Sequence, residues 1–581
     1  MRSFMRVIGG LARFFGRLIF TPILLGWLIG AMAFGAMLGA LVATPFIFAF
    51  FDQEPGQSAW QWIVFGPLMV VGAVFGFQYW RMASGADAYF GLTGDSHGSA
   101  RFAGRKELKA LEGRNGQQDA GLLIGRNPRT GRLLRYDGPA HLITLAPTRA
   151  GKGVGTVIPN LLAAERSVLV IDPKGENARI AGEARRRFGP VHILDPFGVS
   201  DTGMVSGPPS AAYNPLDQLT PDSLDLGEDA ATLTEALVMD PPGQVTEAHW
   251  NEEAKAILGG LIMFCVCHED RDRRSLATVR EYLTLPPDRL KALLELMQDS
   301  DEAGGLIARA ANRFLGKADR EAASVLSNAQ RHTHFLDSPR IARCLARSDF
   351  AFSDLRHRIP SVFLVLPPNR MDAYSRWLRL LVSQALQDIA RDAERPHRAP
   401  EAVPALSGAP VAPLSATGRL KASNPTLGPA LFLLDEFAAL GRLEAVERAM
   451  GLMAGYGLQL WPILQDMSQL RDLYGPRANT FIANAGVQQV FGVNDFETAK
   501  WLSQIIGQET SRFQTDSFKP GDGPSFSNNL TGRDLLTPDE IMQMPPDLQL
   551  LRVQGQPSAL AKKLRYYADP EFAGLFTPET R

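Results

Sequence analysis

The sequence predicts an α/β fold: a parallel sheet flanked by helices, an all-helical insertion between sheet strands, and two apolar helices ahead of both. Three observations predict it. Residues 142–158 (LITLAPTRAGKGVGTVI) run from an apolar strand through a Gly- and Thr-containing loop into a helix. Residues 431–436 (LFLLDE) form a second apolar run, ending in two acids. Residues 18–51 and 57–80 contain no charged residue.

The two uncharged stretches come first in the chain. Each supplies the roughly 20 apolar residues that span a bilayer, at about 20–50 and 60–80, within an anchor of residues 1–84. Arg2, Arg6, Arg13 and Arg17 precede the first and Arg81 follows the second, whereas the intervening loop carries only Asp52 and Glu54. That asymmetry orients both ends toward the cytoplasm. Trp60, Trp62, Tyr79 and Trp80 stand near the ends of the second stretch, where aromatic anchors belong. The small residues at 40–43 fit a cleaved signal peptide less well, because the apolar stretch is too long and a second one follows.

Composition narrows the rest. With 581 residues, 45% of them hydrophobic, and a net charge of −1, the chain is neither disordered nor uniformly basic. Contact with nucleic acid must therefore come from local patches or an assembled channel. Its three cysteines suit a reducing compartment. Cys265, Cys267 and His268 lack the spacing of a closed zinc site and read as buried thiols on a helix.

Residues 85–138 are mixed and Gly-rich, suited to short strands and turns. The run at 142–145 then opens the loop. A loop of this kind turns successive backbone N–H groups inward around phosphate oxygens. Lys152 reaches the outer phosphates as a point charge. The general pattern is Gly-x-x-x-x-Gly-Lys-Ser/Thr; here Ala146 and Gly153 replace its first Gly and its hydroxyl residue. No side chain at 153 can bind Mg2+, so Thr148, Thr156 or water must take that contact. Residues 167–172 (SVLVID) and 191–195 (VHILD) repeat the form of an apolar strand ending in an acid.

Residues 188–254 hold twelve acids and no Lys or Arg. This is either an ordinary solvated face or a dock for basic tails. Helix signals at 254–267 and 290–297 make 205–348 a helical insertion. Strand character returns at 361–366, followed by a helix over 374–392 and a Pro-, Ala- and Ser-rich flexible insertion at 395–429. A helix over 443–453, strands at 458–464 and 488–493, and a sheet-like segment at 548–567 complete the chain.

In a doubly wound sheet, ligands bind where the carboxyl ends of strands emerge. Asp435 and Glu436 would therefore sit beside the loop. Asp435 is placed to hold Mg2+, and Glu436 to polarise an attacking water, which together indicate ATP hydrolysis. Taken alone, 431–436 fits a strand ending in a solvated acidic turn better; it is the company of the Lys152 loop that favours ATP hydrolysis.

In this order, these segments resemble the type IV secretion coupling proteins of the TraG/TraD kind. The resemblance is carried by HGSARFA (97–103), APTRAGKGVGTVIPNLL (146–162), DPKGEN (172–177), YNPL (213–216) and HW (249–250). It continues through LLDEFAALGRL (433–443), AGYGLQLWPILQDMSQL (454–470) and LLTPDEI (535–541), and so spans essentially the whole chain. It implies a RecA-like P-loop ATPase, split into residues 85–204 and 349–581 by an all-α substrate-recognition domain at 205–348. The ATPase would be a homo-hexamer in the bacterial inner membrane, with its termini and ATPase domain cytoplasmic. Carried over residue by residue, the resemblance implies that Thr148, Arg149, Ala150, Gly151, Lys152, Gly153 and Val154 bind ATP phosphates. It implies Mg2+ at Asp435, catalysis by Lys152 and Glu436, and a sensing or water-positioning role for Gln465. Arg442, Arg471 and Arg477 are candidates for an arginine finger across a ring interface. The implied partners are a relaxase joined to single-stranded DNA, or effector proteins, together with the components of a type IV secretion channel. A non-pumping receptor whose nucleotide site controls assembly is the alternative. A chromosome pump would call for a DNA-reading C-terminal module in place of 548–567.

Overall fold

The computed structural model describes residues 29–38, 40, 62–83, 97–112, 121–200, 210–238, 248–394, 428–517 and 525–578. Most of the first apolar stretch and nearly all of the 395–429 insertion lie outside the described residues. The chain divides into two compact units, Met1–Ser99 with Glu509–Arg533, and Ala100–Gln508 with Asp534–Arg581.

The larger unit is built on one sheet. Its strands are β1 (Leu122–Arg126), β2 (Leu133–Tyr136), β3 (His141–Leu145), β4 (Val168–Asp172), β5 (Val191–Leu194) and β6 (Ser361–Val365). They are followed by β7 (Ala430–Leu434), β8 (Leu458–Leu464) and β9 (Ala485–Val490). After β10 (Gln508–Ser517) and β11 (Ser525–Asp534), a separate pair that falls almost wholly in the smaller unit, come β12 (Leu548–Val553) and β13 (Ala559–Lys562). The eleven-stranded order is β2-β1-β13-β12-β9-β3-β8-β7-β4-β6-β5. From β9 to β5 every pairing is parallel. β3, β4, β6, β7 and β8 are buried along their whole length, as continuous apolar runs with helices on both faces should be.

Two features depart from the sequence expectation. The sheet is mixed: the 548–567 segment folds into the hairpin β12–β13, which pairs antiparallel with β9 and β1. β9 also starts and stops three residues earlier than the predicted 488–493. Its Gln488 and Gln489 are buried strand residues that face Arg552 and Leu551 of β12, and Gly492, at φ 65°, turns the chain away. Polar side chains hidden inside a sheet mimic a strand boundary.

Between β5 and β6 every described element is helical. Helix Ala248–His268 lies at the centre, packed by Leu226–Leu237, Leu306–Leu315 and Asp319–Thr333. Its apolar side chains, among them Leu258, Leu261 and Ile262, share one continuous core with Ile143, Leu145, Leu169 and Ile171 of the sheet. Cys265 is buried on this helix, and burial pushes its thiol up to about 11, which makes it inert.

In the smaller unit, residues 29–38 are helical and helix Trp62–Ala83 takes in the second apolar stretch from residue 62 onward. The two backbones touch: a Cβ on Gly35 would lie 2.2 Å from the Gly72 carbonyl oxygen, and one on Gly76 2.2 Å from that of Ala31. Small residues permit this approach. Large apolar side chains instead face outward, with Phe34 60% and Phe75 71% exposed. Among the described residues, no helix is long and apolar enough to cross a membrane.

Candidate functional site

Four adjacent parallel strands, β3, β8, β7 and β4, end on the same edge of the sheet. β3 leads into the loop 146–152. Arg149 (φ 67°) and Gly151 (φ 95°) both adopt left-handed backbone there, which turns consecutive peptides to make a concavity. The chain then enters a widened helical turn, Gly153–Val157, and helix Ile158–Ala163. The Gly155 N–H closes the loop on the Gly151 carbonyl at 2.8 Å.

The predicted residues converge at this edge. β7 ends in Asp435 and Glu436, and the Lys152 ammonium ion-pairs with Glu436 and lies 3.5 Å from Asp435 Oδ1. β8 ends at Gln465, whose Nε2 donates to Glu436 Oε2 at 3.3 Å. Glu436 is itself at φ 51°, unusual for a non-glycine residue, and its N–H donates to Asp435 Oδ1 at 3.0 Å. Burial raises the Asp435 carboxyl, an effect that Lys152 opposes.

A third acid, which the sequence places at the ligand end of its strand without a role, joins the cluster. Asp172 closes β4 beside β7, in the register that pairs Ile171 with Leu434. It is 1% exposed and accepts from the Ala178 N–H at 2.8 Å and from Asn177 Nδ2 at 3.4 Å. Burial, with Asp435 nearby, pushes its carboxyl up to about 7. The unfolded chain titrates this group near pH ~4. The stability it contributes is thus complete below about pH 4 and disappears as pH rises through about 7. In nucleotide-free protein, Asp172→Asn should flatten the fall in denaturant midpoint between pH 5 and 8. An unaltered slope would assign that fall to other groups.

The two threonines offered for the metal contact differ. Thr156 is fully buried, with its hydroxyl donating to Gln489 Oε1 at 3.1 Å. That oxygen also accepts from Thr144 at 2.7 Å, and Gln489 Nε2 donates to Gln549 at 2.7 Å. Thr156 therefore belongs to a polar network beneath the loop, whereas Thr148 is exposed on it. A Cβ on Gly153 would meet nothing within 4 Å. Gly153→Ser should accordingly fold and gain about 0.4–1 kcal/mol from the stiffer unfolded chain; a loss in chemical denaturation would show hidden crowding at 153.

Two of the three candidate arginines are engaged. Arg477 donates to Glu447 at 2.7 Å, and Arg442 lies 3.9 Å from the same carboxylate. Arg471, in the last turn of helix Met467–Tyr474, is exposed and forms no ion pair among the described residues.

The family described as "Type IV secretory system Conjugative DNA transfer" matches residues 103–406 and 416–579. The conjugal transfer protein TraG of Escherichia coli is 28% identical over 524 residues, covering 82% of this chain and 77% of TraG. The protein VirD4 of Agrobacterium fabrum is 27% identical over 495 residues, covering 83% and 67%. Among solved structures, the plasmid coupling protein TrwB in complex with ADP and Mg2+ aligns with a TM-score of 0.53 at 17% identity, over 80% of this chain and 93% of TrwB. TrwB with a non-hydrolysable ATP analogue aligns with a TM-score of 0.53 at 16% identity, over 81% and 95%. At those identities the likeness is one of fold.

Proposed function

Because this chain belongs to the type IV secretory system conjugative DNA transfer family, we propose that it is a membrane-anchored coupling ATPase. It would recruit a relaxase joined to single-stranded DNA, or effector proteins, and drive them toward a secretion channel. The observation that carries this reading is the convergence of Lys152, Asp435, Glu436 and Gln465 at one sheet edge. The nucleotide-bound TrwB structures and the names of the TraG and VirD4 relatives support it.

The residues fit a Mg2+–nucleotide. The concave loop offers N–H groups to anionic oxygens, and the partly buried Asp435 and fully buried Asp172 are two carboxyls raised by desolvation, with the Lys152 ammonium beside Asp435. Asp435 would hold the metal, which when bound offsets the charge of the phosphate oxygens. The remaining chemistry belongs to the chain. In this structure Lys152 holds Glu436 in an ion pair. A polyphosphate in the loop would compete for the ammonium, and Glu436, freed from it, could accept a proton from water. Gln465, already hydrogen-bonded to Glu436, would orient that water. Arg471, exposed and without an ion pair among the described residues, is the candidate that could reach a neighbouring subunit of a homo-hexamer.

The inner-membrane placement rests on the uncharged stretches, the flanking arginines, and a helix pair with small residues inside and large apolar ones outside. The helical region 205–348 is the proposed substrate dock. In-cell crosslinking from that region should recover a relaxase carrying DNA, or effector proteins. Recovery of neither, with the complex intact, would remove the coupling role.

A further inference from the structure

The last strand of the sheet brings a lysine to the phosphate loop. Lys563 directly follows β13, and its backbone N–H is fixed by the Asp547 carbonyl at 2.9 Å. Its half-buried Nζ donates to the Ala150 carbonyl at 2.8 Å and sits 5.0 Å from the centre of the Phe491 ring. The next residues bear on the same loop. Leu564 O lies 2.9 Å from where a Gly155 Cβ would stand, and the Tyr566 N–H faces the Val154 carbonyl at 3.5 Å. From the other side Gly492, in the turn leaving β9, comes so close that a Cβ on it would lie 2.9 Å from the Ala150 Cβ. Ala150 is thus held between two elements remote from it in sequence.

The orientation of one peptide follows. No cis peptide occurs among the described residues. In a trans peptide the C=O and N–H point in opposite directions. With the Ala150 carbonyl drawn to Lys563, the Gly151 N–H must point away from Lys563. Gly151, on the far side of this peptide, and Arg149, one residue before it, both have left-handed backbone, which turns successive peptides of the loop.

We propose that Lys563 is a positioning residue for nucleotide: its ammonium fixes the Ala150–Gly151 peptide so that the Gly151 N–H is aimed at a polyphosphate oxygen. The proposal rests on the reading that the Lys152 loop binds nucleotide. Lys563 acts through the loop and not by contact with the ligand, so its loss should weaken binding more than turnover.

The test compares full-length wild type, Lys563→Met and Lys563→Arg. Without nucleotide, hydrogen exchange of the amides at 148–153 should be about tenfold faster in Lys563→Met, with wild-type rates elsewhere in the sheet. Binding of Mg2+–ADP should be about tenfold weaker, the weight of one charge-assisted hydrogen bond, with kcat at saturation within about threefold. Lys563→Arg, which can donate to the same carbonyl, should restore most of both. Unchanged exchange and affinity in Lys563→Met, while Lys152→Ala loses binding, would overturn the role of Lys563 and leave the nucleotide reading standing. A collapse of kcat at unchanged affinity would also overturn it. If wild type bound no nucleotide, the underlying reading would fail, and the exchange rates alone would still decide whether Lys563 holds the loop.

Discussion

Lys152→Ala is expected to weaken nucleotide binding by roughly 10- to 100-fold, the equivalent of about 1.5–3 kcal/mol for a hydrogen bond to a charged group. Turnover should fall by a further factor of about 10²–10³, the usual consequence of losing one donor aimed at developing charge. The geometry supports both losses. Lys152 is the side chain that ion-pairs with both acids at the end of β7, and it is only 12% exposed. Removing it takes from the partly buried Asp435, with Asp172 close by, the cation that offsets its charge, so Asp435 should hold its proton to higher pH and hold a divalent cation less well near neutrality. Titration calorimetry with Mg2+–ADP, beside a melting curve of the free protein, separates these effects. Intact affinity in a folded Lys152→Ala variant would show that the loop is not a phosphate site.

Glu436→Gln is expected to part binding from chemistry. The amide keeps the shape of the side chain, and its oxygen can still accept from Lys152 or Gln465, so nucleotide affinity should change by no more than a few-fold. It can no longer take a proton, and turnover should drop by about 10²–10⁴. The left-handed backbone at 436 is maintained by the Asp435 carboxylate and is not relieved by the amide, so the comparison isolates the carboxylate. Single-turnover measurements with bound ATP should show a slow cleavage step. Wild-type cleavage in Glu436→Gln would move the base elsewhere, and Gln465, a neutral amide, could not replace it.

The parts of the site that could be read from sequence are those built from local signals. The loop, the acids closing β7 and the glutamine closing β8 each follow an uninterrupted apolar run, and a buried parallel strand delivers its polar end to the ligand edge. Helix Pro368–Glu394 is longer than the predicted 374–392, because Pro367 and Pro368 read as a break; proline in fact opens the helix, where its missing N–H has no partner to lose. Asp172 reads from sequence as an acid at the ligand end of its strand, but its place beside Asp435 depends on β4 lying next to β7, a pairing far apart in sequence. The Gln489 network that hides Thr156, and the Lys563 contact to Ala150, likewise arise from distant strands meeting. Strand order, more than strand identity, was illegible.

In the proposed coupling ATPase, the Lys152–Glu436 pair would be the resting state of a motor that works on single-stranded DNA. The most direct measurement is ATP hydrolysis by purified full-length protein, wild type against Glu436→Gln, with and without single-stranded DNA of mixed sequence. Wild type should hydrolyse ATP, faster with DNA, and the stimulation should decline steeply with salt as phosphate contacts are screened; Glu436→Gln should show neither. Negligible wild-type turnover with DNA present, alongside normal recovery of substrates from the 205–348 region, would contradict the motor and leave a receptor whose nucleotide governs assembly.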